Sequence, residues 1–430
     1  MTDRDRTAPR ATRRGFLAAT AGLAAVAGSS LASNPVRAHD DAQGAEARTT
    51  EPFWGAHQGG IVTPIQAHTY FAAFDLTTDK RGAVEKLLRA WTDAAALLCA
   101  GRPVDIPGAD DYASEPDPAD VLGLSPSRLT LTFGFGAGLF VKDGRDRYGL
   151  RARRPEAFVD LPNFPGDQLA PGRTGGDLSA QACADNPQVA FHAIRQLARL
   201  AYGVAQMRWV QAGFNSDYGA KSTPRNLMGF KDGTGNPATN DPKAMDAIVW
   251  AGEEAPPWMR GGSYLVIRRA RIALEHWDRM KVAFQEQTFG RKKLSGAPLG
   301  AQDEFDPIDL EAKDADGNPV IPENSHVRLA HQAGVEGSRI LRRAYSYNDG
   351  ANFTAERWPP WRQGMEFDAG LIFMCYQRDP RSGFIKIFEK MSRFDMMNQF
   401  VTNTGGGHFA CPGGAAEGEF IGQRLFEAST

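Results

Sequence analysis

The chain has 430 residues, 42% of them hydrophobic and 23% charged, the balance of a globular protein with room for two domains of ordinary size. A formal net charge of −2 gives no electrostatic case for nucleic acid, and past the N-terminus no stretch approaches the eighteen or so uninterrupted apolar residues of a membrane span. In chain order, residues 1–38 read as a twin-arginine export signal. Arg13 and Arg14 precede an apolar run to about Leu31, and a small-residue site at Val36-Arg37-Ala38 places the mature start near His39. A polar linker, 39–51, follows. The first domain, 52–225, opens with a strand over 66–76 and a helix in which Val84, Leu87, Leu88, Trp91 and Ala95 recur at helical spacing until Gly101 stops it. A Pro- and Asp-rich loop leads to a second strand over 128–140, then a long irregular segment, 142–185, a helix from Asn186 to about Tyr202, and a strand from about Ala205 to Phe214.

The order then repeats in a second domain, 226–430. Residues 261–272 read as a strand, 274–290 as the helix after it, 367–377 as a later strand and 383–391 as a later helix. Both later strands carry Ala-Gly-Leu, at 137–139 and 369–371. Two copies of one element order point to α+β architecture: duplicated ferredoxin-like domains, each an antiparallel sheet with helices on one side. Of the four cysteines, Cys99, Cys183 and Cys375 sit in apolar or helical surroundings and read as small core residues. With Cys411 they form neither a CxxC pair nor a metal-ligand spacing.

Two stretches carry chemistry. In NLMGFKDGTGNP, 226–237, Asp232 sits in a glycine-rich turn. It is no phosphate loop, because no Lys followed by Ser or Thr stands at the required place. Nor is it a calcium loop, since Pro237 replaces the sixth-position Gly and Lys243 the closing Glu. The run Asp314 to Pro319 fails the same test, with Ser325 at the closing position, and reads as a hairpin turn. The second stretch, 324–347, gathers His326, His331, Arg342 and Arg343, types suited to ligating a metal and holding an anion.

Taken together, GFKDG (229–233), SHVRLAH (325–331), LRRAYSY (341–347) and GLIFMCYQRD (370–379) resemble, in order and over nearly the whole mature chain, the dye-decolorizing peroxidases, in particular their exported deferrochelatase-like branch. The resemblance implies haem b in the C-terminal domain. It implies hydrogen peroxide as oxidant, a small-molecule or protein electron donor, and a ferryl intermediate; release of iron from haem and plain haem binding are the alternatives. It implies His326 as the axial ligand of the haem iron, Asp232 as the distal acid/base and Arg342 as the distal arginine, with Arg343 the rival for that place. Gly233, Thr234 and Gly235 would let backbone approach the cofactor, and Leu371 and Phe373 would line the distal pocket. The partner of His326 falls on Asp395 or Glu389. Other branches carry Asn two residues after the distal arginine; here the position is Ala344, so the resemblance brings no third distal polar group. Tyr345, Tyr347, Trp358, Trp361 and Tyr376 are candidate electron relays, although packing is the commoner role for each. An aspartate is a weak base, which predicts activity favouring mildly acidic pH.

Overall fold

The computed structural model describes residues 49–104, 117–216, 223–355 and 363–427. The export signal, most of the linker, and Trp358 and Trp361 lie outside the described residues.

The N-terminal half runs β1 (His68–Leu76), α1 (Arg81–Cys99), β2 (Thr130–Phe135), β3 (Leu178–Ala184), α2 (Pro187–Leu200) and β4 (Ala205–Phe214). Its antiparallel pairings give the order β4-β1-β3-β2, a ferredoxin-like βαββαβ sheet. Along α1 the residues at helical spacing are the buried ones, and Gly101 at φ +72° ends the helix. The side chain of Asn186 caps α2 by accepting from the amides of Gln188 and Val189.

The C-terminal half runs β5 (Ser263–Ile272), α3 (Val282–Phe289), α4 (His326–Ala330), β6 (Leu341–Arg342), β7 (Tyr345–Ala355), β8 (Gln363–Gln377), α5 (Lys386–Phe394) and β9 (Val401–Cys411). Here the order is β9-β5-β8-β7, the same topology again. The two sheets join at both edges, by β2 to β9 at Phe135↔Ala410 and by β4 to β7 at Phe214↔Ser346, so the eight long strands close on themselves. Strand alternation divides their side chains. Phe71, Leu265, Ile372, Tyr376 and Phe409 point into a core shared by both halves, while Phe74 and Phe133 meet Trp91 of α1 on the outside. Arg269, 2% exposed, ties the halves together: it donates to Gln211 of β4 and to Asp349 and Asp368, with Tyr347 beneath its guanidinium.

Three of the long strands escape the sequence reading. LSAQACA, β3, has no β-branched or aromatic residue; VTNTGGGHFAC, β9, has three successive glycines; and YSYNDGANFTA, β7, carries a turn-like NDG. Each is held by its neighbours rather than by its own propensity. Two expected elements are corrected. The first Ala-Gly-Leu lies in a short helix, Ala137–Phe140, and not in a strand, and 274–290 is two helices, Leu274–Trp277 and α3. The Asp314 segment is the expected turn, its carboxylate accepting from the amides of Asp316 and Asn318. All four cysteines are buried and free.

One half-buried histidine, whose Nε2 is shut off from solvent, sets an acid limit on stability. His408 of β9 is bonded through Nδ1 to the Val159 carbonyl and packs on Phe158; burial outweighs that bond and pushes its imidazole down from 6.5 to about 4. Between those values the unfolded chain holds a proton that the folded one refuses, so stability is full above pH 6.5 and is lost as pH falls toward 4, by about 3 kcal/mol. Urea unfolding from pH 7.5 to 4 should show that fall, and His408→Asn should flatten it.

Candidate active site

The acid loop is built from its apolar lead-in. Met228 and Phe230 bury among Trp277, Phe289 and Phe400, with the Phe230 and Phe289 rings stacked at 3.9 Å. This anchors the chain one residue before it turns. Lys231 then pairs with Glu304, which also accepts from the hydroxyls of Thr223 and Thr234. Gly233 at φ +138° makes a bend that a side chain would resist, and Asp232 is left facing the other way.

There it meets Arg342. Nη1 of the arginine donates to Asp232 Oδ1 at 3.1 Å and Nη2 to the Thr234 carbonyl at 3.3 Å. Asp232 Oδ2 has no partner among the described residues. Beside this pair lies a cavity of about 500 Å³, lined by Asp232, Gly233, Asn236, Arg342 and Leu371 among others. Its size suits a small-molecule site. Arg343, one residue on along an extended chain, also lines this cavity, but its guanidinium turns away from Asp232 and donates to the Thr63 carbonyl and to Gln66. Strand alternation thus separates the two arginines: Arg342 takes the acid.

His326 begins α4. Its Nδ1 is bonded to Asp395 Oδ2 at 2.6 Å; the exposed Glu389 is not the partner. Asp395 is itself fixed, since its other oxygen accepts from the Met397 amide at 2.8 Å. With Nδ1 donating to the carboxylate, Nε2 presents a lone pair that no described residue engages, the arrangement of a histidine prepared as a metal ligand. Two ring contacts, His326 to Phe289 at 6.0 Å and Phe289 to Phe230, lead back to the acid loop.

The expected residues are therefore not all gathered in one place. Asp232, Gly233, Arg342, its rival Arg343 and Leu371 line the cavity; His326, Thr234, Gly235 and Phe373 are not among its lining residues. Phe373 packs against Phe384. Tyr345, Tyr347 and Tyr376 are fully buried within the shared core. Two residues were given no place in the site: Glu304, for which an acidic stretch gave no signal, and Asn236, weighed only as an oxygen ligand of the rejected calcium loop.

Against known families, the model described as Dyp-type peroxidase, N-terminal, matches residues 58–215, and the C-terminal one matches 223–416. The chain belongs to the Dyp-type peroxidase family. It is 37% identical to the dye-decolorizing peroxidase of Thermobifida fusca, over 99% of this chain and all of that one, and 36% identical to a deferrochelatase of Escherichia coli, over 87% of each. Among solved structures, ferric DtpA from Streptomyces lividans is 40% identical with a TM-score of 0.79, covering 89% of this chain and 99% of that one. The Dyp-type peroxidase of Cellulomonas bogoriensis is 38% identical with a TM-score of 0.77, over the same shares. As a Dyp-type peroxidase, the chain is an oxidoreductase of a haem-dependent family that uses peroxide and an electron donor. The residues present fit haem: a carboxylate-tethered imidazole with a free nitrogen, and half-buried Leu371 and Phe373 on one face of β8.

Glu304 holds the acid loop from behind. Although buried, its carboxyl stays below the ordinary value, because hydrogen bonds from Lys231, Thr223 and Thr234 and the charge of Lys231 outweigh desolvation. Glu304→Ala should cost about 2 kcal/mol in urea unfolding and lower peroxide turnover several-fold, whereas Glu304→Gln, which keeps an acceptor, should lose less of both.

Proposed function

We propose that this protein is an exported haem b peroxidase that reduces hydrogen peroxide to water while drawing electrons one at a time from dyes, phenols or a protein donor. On this reading residues 52–225 and 226–430 are its two ferredoxin-like domains, and the second carries the haem. The observation that carries the proposal is the Asp232–Arg342 pair, 3.1 Å apart at a cavity, together with the His326–Asp395 pair at 2.6 Å. The four buried cysteines, with no CxxCH run, support a haem held without thioether bonds.

His326 is the iron ligand, through Nε2, and Asp395 holds its ring and raises its basicity. Bound haem would supply the iron at which peroxide reacts and would store the two oxidising equivalents that peroxide delivers until the donor's electrons arrive. Asp232 takes a proton from one peroxide oxygen at the unpartnered Oδ2 and returns it to the oxygen that leaves as water, a role worth about 10²–10⁴ in rate. Arg342 spends two donors on the loop and turns its remaining N–H groups to the charge that grows as the O–O bond breaks. Gly233, Thr234 and Gly235 offer backbone to the cofactor, the Thr234 hydroxyl being engaged by Glu304 at 2.7 Å. Leu371 and Phe373 keep water from the distal side. The roughly 37% identity to a protein named a dye-decolorizing peroxidase supports the peroxidase reading; the likeness to deferrochelatases supports iron release from haem as the second.

His326→Ala should lose or shift the Soret band of the purified protein. Asp232→Asn should keep that band and lose at least about 100-fold in kcat/KM for peroxide; full activity in this variant would refute the assignment. Haem-loaded protein kept without peroxide should yield no free protoporphyrin fluorescence, and its appearance would favour the second reading. For export, Arg13→Lys with Arg14→Lys should retain the precursor in the cell, while the exported wild-type chain should begin near His39 by N-terminal sequencing.

A further inference from the structure

Strand β6 continues into β7 in one register along β8, from Leu341↔Tyr376 and Arg342↔Cys375 to Tyr345↔Ile372 and Ser346↔Leu371. In an antiparallel ladder, alternate residues turn their backbone N–H and C=O away from a given neighbour. Arg343 spends its N–H on the Met374 carbonyl at 2.8 Å, so the N–H and C=O of Arg342 point to the opposite edge. On that edge β4 supplies a partner only as far as Phe214↔Ser346. Beyond it two asparagine side chains take over. Asn215 donates to the Ala344 carbonyl at 2.9 Å; Asn236 accepts from the Arg342 N–H at 2.9 Å and donates to the Arg342 carbonyl at 2.7 Å.

We propose that Asn236 is a positioning residue for the peroxide reaction: its side-chain amide, acting as a surrogate strand, docks the acid loop onto the backbone of Arg342 and so aims the guanidinium at Asp232. The amide is the one uncharged side-chain group that can give and accept in the same plane as a peptide, and Asn236 uses both functions on one residue. It stands four residues after Asp232, in the same loop. With the Asp232 and Thr234 contacts it brings to four the hydrogen bonds that join the loop to Arg342. Two of the four hold the backbone of the arginine and two its head, so the direction of the side chain is set at both ends. The same clamp fixes the extended conformation that sends Arg343 to the other face. An aspartate at 236 would still accept from the N–H but would set a carboxylate against the Arg342 carbonyl and offer the guanidinium a competing partner. Asn236 lines the cavity, and both its amide nitrogen and its amide oxygen are committed to the Arg342 backbone, so the role assigned to it runs through Arg342.

The inference rests on the assignment of Arg342 proposed above, and a double-mutant cycle in the haem-loaded protein tests the two separately. Arg342→Ala alone should lower kcat/KM for peroxide about 100-fold; no loss would sink the assignment of Arg342 itself. Given that loss, Asn236→Ala and Asn236→Asp should each lower kcat/KM at least 10-fold with the Soret band unchanged, and Asn236→Ala combined with Arg342→Ala should be no worse than about twofold below Arg342→Ala. Losses that multiply, or Asn236→Ala at wild-type activity, would overturn the positioning role. Amide hydrogen exchange gives a readout apart from turnover: in Asn236→Ala the Arg342 amide should exchange at least 10-fold faster while the Arg343 amide, bonded to Met374, stays protected. Equal protection of Arg342 in variant and wild type would also overturn it.

Discussion

The carboxylate of Asp232 and the guanidinium of Arg342 meet at 3.1 Å although 110 residues separate them, and the site depends on that meeting. The contact cannot hold itself. Side-chain exposures of 19% and 28% put the pair within reach of water, where an ion pair contributes about 1 kcal/mol or less. Its geometry is imposed by what lies behind each partner. Behind the acid stand the stacked rings of Phe230 and Phe289 and the buried carboxylate of Glu304; behind the arginine stand β8 on one edge and Asn236 on the other.

The two-sheet closure explains why such a site sits in the second half. Each half repeats the same order of strands, and the edges that join them are short, one registered pair at each seam. Where β4 ends, the strand leading into β7 is left with an open edge, and the acid loop arrives from the junction of the halves to cover it. The seam is thus where backbone groups need partners, and a loop that supplies them brings its carboxylate along.

The His326–Asp395 pair follows a different logic. Asp395 ends α5 and is fixed by the Met397 amide, so the imidazole is oriented by a carboxylate that is itself immobile. An exposed glutamate such as Glu389, six residues earlier, has the charge but not the constraint. The same contrast separates Arg342 from Arg343: the residue types are equal, and the direction each must take along an extended chain decides which one faces the acid.

From sequence alone, periodicity revealed α1, α2 and the strands rich in β-branched or aromatic residues, because local side-chain spacing records which face is buried. The motifs around Asp232, His326 and Arg342 likewise singled out residues that the fold holds in two hydrogen-bonded pairs, since those residue types are few and their neighbours distinctive. The folded chain decided what depends on residues far apart: that LSAQACA and the glycine-rich β9 are strands, that Asp395 rather than Glu389 grips the histidine, and that the Phe373 ring packs on Phe384. Glu304 and Asn236 belong to the same class. Their partners lie 70 to 106 residues away, and a hydrogen bond across that distance leaves no mark on local composition.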